Sequence, residues 1–163
     1  MPDAFVLRPL TRRQIRQAYP LVRNEFPDAT EARWEAFARA RTAAAGTIRK
    51  DGIMTLQNQT GYILGLFVYD VRDDLQDGRT LSVTHVAVAE LIGQHMLARQ
   101  LVEGMSTVAR LHNCAAIDVC LPQSGPRSSL NALFREAGFD FEGMRARQSL
   151  RGEAPLAAGG VGA

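Results

Sequence analysis

The stretch that decides the fold is residues 86–119, VAVAELIGQHMLARQLVEGMSTVARLHNCAAIDV. An apolar run, a loop without proline, a long segment of helical periodicity and a second apolar run follow one another. Leu97, Leu101, Met105 and Val108 recur at three- and four-residue spacing, which puts them on one face of a helix over residues 94–111. The runs on either side read as strands, so the whole is one strand–helix–strand unit. The first turn of such a helix carries backbone N–H groups without intrahelical acceptors and the positive end of the helix dipole, a setting that favours an anion. The junction at 89–98 is therefore where a ligand is expected. It is unusually poor in glycine, the residue that lets a backbone close on a phosphate.

Working outward toward the N-terminus, residues 79–88, 62–71 and 53–57 read as strands joined by a polar loop at 73–78 (DDLQDG) and a turn at Thr60–Gly61. Short polar connections of this kind predict an antiparallel meander. Gly65, inside the long apolar strand, signals a bulge or the close approach of another group. Before the meander come two helices. The first follows a short strand at 5–10 that ends at Pro9; Thr11 and Gln14 make a capping-box pattern, and Ile15, Ala18, Tyr19, Val22 and Phe26 share a face. Pro20 is expected to kink or divide it. Asp28 with Glu31 caps the second, in which Trp34, Phe37, Ala38 and Arg41 lie on one side and which Gly46 ends.

Toward the C-terminus, His112–Asn113 stops the long helix, Pro122 stops the strand at 115–121, and a loop at 123–127 leads to a short helix at 128–137 capped by Gly138. Residues 139–150 supply one or two last strands. Residues 152–163 (GEAPLAAGGVGA) have nothing to bury and form a tail. The expectation is a single domain over 1–151 followed by that tail.

Bulk composition narrows the function. A chain of 163 residues with 46% hydrophobic and 22% charged content buries a core unaided. The net charge of +2, despite a pI near 8.8, is too small to argue for nucleic acid. Lysine is nearly absent; the arginines are scattered over amphipathic helices and reflect composition bias. Cys114 and Cys120 lack metal-ligand spacing and are expected as buried free thiols, and no His/Asp/Glu cluster suggests a metal. Residues 1–10 are too short and polar for a secretory leader, and no apolar run reaches membrane-spanning length. The expectation is a cytoplasmic protein with no nucleic-acid or membrane partner.

The element order and two local motifs resemble the GNAT superfamily of acyl-CoA-dependent N-acyltransferases. The segment VAVAELIGQHMLARQLV at 86–102 aligns without a gap to the family pattern VAVxPxxRGxGxGxxLL, and LFREAGFDFEG at 133–143 aligns to LYEKxGFxxxG, with Gly138, Phe139 and Gly143 in register. The resemblance spans about residues 5–150. It implies an α/β (α+β) fold with a mixed, mostly antiparallel central sheet of six or seven strands flanked by about four helices. It also implies acetyl-CoA or another acyl-CoA as co-substrate and a small-molecule or peptide amine as acceptor. Dimers are common in the family, which leaves a homodimer open.

The resemblance places the donor on backbone groups of Val86 and Val88 and on the loop and helix start formed by Gly93, Gln94, His95, Met96, Leu97, Ala98 and Arg99. Three positions depart from the family. Met96 stands where the first phosphate-loop glycine is expected and Gly93 where a basic or amide residue is expected; His95 and Arg99 are the nearby positive groups. Phe134 replaces the tyrosine that protonates the departing thiolate, and Arg127 replaces an asparagine. His85 is the candidate catalytic base, the one group on its strand that titrates near neutral pH. Strict alternation puts it opposite Val86 and Val88, and a bulge would change which face it reaches. Tyr69 and Asp70 are weaker candidates, His112 suits a helix end, and Trp34, Phe37 and the 73–78 loop are placed to shape an acceptor pocket. The competing expectation is a non-catalytic module in which Met96, Leu97 and Phe134 make the former donor cleft apolar.

Overall fold

The meander and its two flanking edges form one five-stranded sheet in the order β1-β2-β3-β4-β5, built from β1 (Val6–Pro9), β2 (Asp51–Gln57), β3 (Ile63–Asp74), β4 (Gly78–Val88) and β5 (Ala116–Val119). The first four pair antiparallel and β5 joins β4 in parallel, as the crossover helix between them requires. This computed structural model describes residues 4–42, 48–89, 94–121, 128–143 and 145–151. The expected helix end at Gly46, the loop at 123–127 and the tail at 152–163 lie outside them.

Side-chain alternation gives the sheet two apolar faces, each covered by a helical layer. One carries Ile53, Leu66, Val68 and Ala87 against α1 (Ile15–Glu25) and α2 (Glu31–Arg41). The other carries Met54, Phe67, Tyr69, Leu81, Val83, Val86 and Val88 against α3 (Gln94–Leu111) and α4 (Ser128–Glu136). The expected stripe of α3 is buried as read: Leu97, Leu101, Met105 and Val108 are all in the core. Pro9 closes an edge strand, where its missing N–H costs nothing.

Local chemistry fixes the element ends. Gln14 Oε1 accepts from the Thr11 N–H and hydroxyl, opening a single 3-10 turn (Arg12–Gln14) that leads into α1. Helix α1 runs undivided through Pro20. Helix α2 is capped by Thr30, whose hydroxyl accepts from the Arg33 N–H at 3.2 Å, and not by Asp28 as the sequence suggested. Asn113, at φ 56°, ends α3 in the left-handed conformation, and the Cys114 N–H closes back on Ala109 O at 2.8 Å. Gly138 does the same for α4 at φ 93°.

The sheet is smaller than expected. Residues 139–143 and 145–150 form no strand, and nearly all are exposed. Both cysteines are free thiols, but Cys120 is exposed and Cys114 half-buried, because β5 is an edge strand.

Candidate active site

Two irregularities at the end of β4 shape the site. The first is a bulge: Val68 lies opposite His85 and Tyr69 opposite Val83, which leaves Thr84 as a surplus residue. Val83 and Val86 therefore both face the α3 core although three apart in sequence, and His85 faces α1 and α2. The second is the loss of β5. Its pairing with β4 stops at Val83 opposite Val119, where the Cys120 N–H donates to Val83 O at 2.9 Å. Beyond that point, among the described residues, no strand covers this side of β4. The Ala89 N–H donates to Leu64 O at 2.8 Å on the β3 side, so by alternation the backbone groups of Val86 and Val88 point toward the uncovered edge. Among the described residues the result is a gap in strand pairing between β4 and β5 beyond Val83 and Val119.

His85 sits at the root of that gap. Phe26, at the end of α1, and Phe37, on α2, meet its ring edge-on with centroids at 5.1 and 5.7 Å. Those two rings are held in place from behind: Trp34 Nε1 donates to Ile15 O at 2.7 Å, locking α2 onto α1, and the Tyr19 hydroxyl donates to Ala29 O at 3.0 Å in the connection. His85 Nδ1 lies 2.9 Å from Thr84 Oγ1. Burial lowers the imidazole pKa below its ordinary value, and the charges of Arg41 and Arg145 lower it further. The ring is thus neutral at pH 7, a state that accepts a proton.

Two arginines that the sequence did not single out for this site complete it. The Arg41 guanidinium lies 3.7 Å over the Phe37 ring and donates to Phe37 O at 3.2 Å. Arg145 donates from Nη1 to Cys120 Sγ at 3.0 Å. Arg41 was legible only as part of a helix face, and Arg145 only as part of an expected strand, so neither gave a signal.

On the donor side, Gly93 lies outside the described residues. Gln94 begins α3, with His95, Met96 and Arg99 exposed; Met96 is 52% exposed and so turns its side chain away from the core. Leu97 and Ala98 are buried beside Val86 and Val88, which leaves only their backbone for a ligand. Phe134 is buried at 1% exposure with its ring against Phe139 at 5.1 Å. Leu97 and Phe134 therefore belong to the core, and an apolar cleft lined by Met96, Leu97 and Phe134 is not what these residues build. Arg127 lies outside the described residues.

The remaining candidates lie apart from His85. Tyr69 is on the opposite face, its hydroxyl donating to Arg49 O at 2.7 Å and its pKa pushed up to about 12, chiefly by burial. Asp70 is two register steps away, opposite Ser82, and accepts from Arg72 Nε at 2.8 Å. Strand pairing continues through Asp74 and Gly78, so the 73–78 loop shrinks to a hairpin tip. Gly78 is seven residues from His85, about 23 Å of strand, too far to shape the pocket. Among the described residues no group of three His, Cys, Asp or Glu side chains could hold a metal ion, and no helix is long and apolar enough to cross a membrane.

No protein-family model matches the sequence, and no curated protein matches it. Solved structures do match, over nearly the full length. An aminoglycoside N-acetyltransferase in complex with CoA superposes with a TM-score of 0.72 at 13% identity, covering 93% of this chain and 97% of that one. The ribosomal-protein-alanine N-acetyltransferase of Brucella melitensis gives 0.68 at 15% identity, covering 89% and 100%. The glucosamine-6-phosphate N-acetyltransferase of Arabidopsis thaliana gives 0.67 at 12% identity, covering 91% and 99%. The chain has the GNAT fold.

Proposed function

We propose that the chain is an N-acyltransferase that moves an acyl group from acyl-CoA to an amine, with His85 as the base. The observation that carries this reading is the gap itself: β4 leaves β5 at a bulge, turns the backbone of Val86 and Val88 to an edge that no strand among the described residues covers, and sets a neutral histidine at its root. An extended pantetheine arm is a chain of amides, and an uncovered strand edge is the surface that pairs with one. The amides of the first turn of α3, from Gln94 to Leu97, suit the phosphates. Met96 stands where the family has glycine, and its exposed side chain leaves those amides available.

In the transfer, the acceptor nitrogen forms its bond to the acyl carbon while the carbon–sulfur bond breaks and its electron pair leaves on sulfur. The proton lost by nitrogen goes to His85, whose Nε2 is the nitrogen not engaged with Thr84. Phe134 has no proton to give and is buried, so the thiolate takes its proton from water.

Thermal unfolding with a panel of acyl-CoAs tests the donor half. At a hundred times the dissociation constant, a ligand stabilises by about 2.7 kcal/mol, a rise in Tm of roughly 5–11 °C for a chain of this size. Met96→Gly is expected to strengthen binding. No shift with any acyl-CoA would refute the reading. For the base, His85→Gln is expected to lower turnover by about 10²–10⁴-fold with the donor-induced Tm shift intact.

A further inference from the structure

Two arginines on different elements place positive charge near His85. Arg41, at the end of α2, lies over the ring of Phe37, which in turn packs against His85. Arg145 reaches it from the β5 side, bound to Cys120, which is itself bonded through its N–H to Val83, the residue before the bulge. Four arginines have carboxylate partners: Arg16 and Arg39 share Glu35, Arg49 has Asp51 and Arg72 has Asp70. Among the described residues Arg41 and Arg145 have none. On that side of the sheet Asp70 and Asp118 lie in the second row before the bulge, across from Ser82, and Asp70 is taken by Arg72; of the helix carboxylates on that side, Glu25 ends α1 just before Phe26 and Glu35 is taken by Arg16 and Arg39.

Each of these guanidinium groups, one fixed by a ring and one by a thiol, presents a planar fork of N–H donors suited to carboxylate or phosphate oxygens. The same pair repels a purely cationic amine, so the site discriminates against that class as well as for the other. We propose that the acceptor is an amine that also carries a carboxylate or phosphate, and that Arg41 and Arg145 hold that anion beside His85. This rests on the acyltransferase reading, because it names the second substrate of the same gap.

The test has a binding arm and a turnover arm. In the first, Tm is measured in inorganic phosphate, and separately in succinate, against chloride at equal ionic strength. The wild-type chain is expected to gain stability from at least one of the two, and Arg41→Gln and Arg145→Gln to lose that gain. Arg41→Lys, which keeps charge and packing but not the fork, is expected to lose most of it. In the second arm, thiol release from acetyl-CoA is followed with matched acceptors: the C-terminally amidated peptide Ala-Glu-Glu against amidated Ala-Gln-Gln, and phosphoethanolamine against ethanolamine. These pairs separate a carboxylate from a phosphate source. The anionic member is expected to win in kcat/KM by about tenfold or more in at least one pair, and the advantage to shrink to within about twofold in the arginine variants.

An equal response to chloride and both anions overturns the inference, as does an anion advantage that survives in both arginine variants. Loss of the acyl-CoA Tm shift in those variants also overturns it, since the anion bound would then be the donor's own phosphates. An arginine-dependent anion response with no acyl-CoA response sinks the donor reading and leaves the anion site standing.

Discussion

Gly65 is the point at which α3 rests on the sheet, and an added methyl there has a calculable effect. A Cβ on Gly65 would lie 3.0 Å from Leu101 Cδ1, 3.4 Å from its Cγ and 3.5 Å from Ala87 O. Leu101 is 1% exposed, so its side chain has no solvent to swing into. Overfilling a packed core costs about 1–3 kcal/mol, and relief of glycine's backbone entropy in a strand returns about 0.5–1 kcal/mol. Gly65→Ala is therefore expected to lose about 1–2 kcal/mol, a Tm fall of roughly 2–8 °C at this chain length. Leu101→Ala alone is expected to cost about 3 kcal/mol through the cavity it leaves. In the double variant the new methyl enters that cavity, so the clash disappears and the combined loss falls short of the sum by about 1–2 kcal/mol. Urea unfolding of all four proteins, with midpoints compared at constant slope, reads the cycle directly. Gly65→Ala as stable as the wild type, or single losses that add to within about 0.5 kcal/mol, would show that Leu101 does not fill the space above Gly65.

The depressed pKa of His85 makes stability fall with acid: above pH 6.5 the ring is neutral folded and unfolded, and below it the unfolded chain takes the proton first. Urea midpoints at pH 7.5 and 5.5 are expected to converge in His85→Asn, and an equal drop in both proteins would count against the buried neutral ring. Tyr69, raised to about 12, contributes stability that is present below pH 10 and lost as pH rises from there through about 12. Tyr69→Phe should remove that alkaline loss while costing about 0.5–1.5 kcal/mol at neutral pH through the bond to Arg49 O. Asn113→Gly should stabilise by up to about 1 kcal/mol, because φ 56° strains a side chain; a fall in Tm would contradict the cap. Trp34→Phe should cost about 1–2 kcal/mol by leaving Ile15 O without its donor, and denaturant titration reads it.

Helix α3 was legible in its extent and buried face because a four-residue stripe and an asparagine stop agree over eighteen positions. The meander was legible for a similar reason: period-two alternation bounded by turn residues leaves few other solutions. His85 was legible as a titratable side chain on an apolar strand, and so was its orientation relative to Val86 and Val88. Its neighbours were not. Phe26, Phe37, Arg41 and Arg145 come from a helix end, a helix face and a segment without secondary structure, and only tertiary packing brings them to one ring. Residues 139–150 misled because aromatic and glycine spacing imitates a strand, whereas a strand exists only where a partner supplies hydrogen bonds. Phe134 and Leu97 misled in the other direction: their positions in a motif suggested a cleft, and their burial shows that the motif's apolar members are ordinary core.

Thr84 deserves to be considered as an amino acid that the sheet does not need. Removing it from the chain would leave Val83 and Val86 on the α3 face and His85 on the other, because the surplus residue opposes nothing on β3. What would go is the bend that a surplus residue puts on β4, at the row where its pairing with β5 ends. A protein lacking Thr84 should fold with every side chain on its present face and pair β4 with β5 farther along, sealing the gap. Occupancy of the cleft would then turn on whether one peptide unit is present, and the architecture would carry, in a single position, the difference between a closed sheet and a sheet with a doorway.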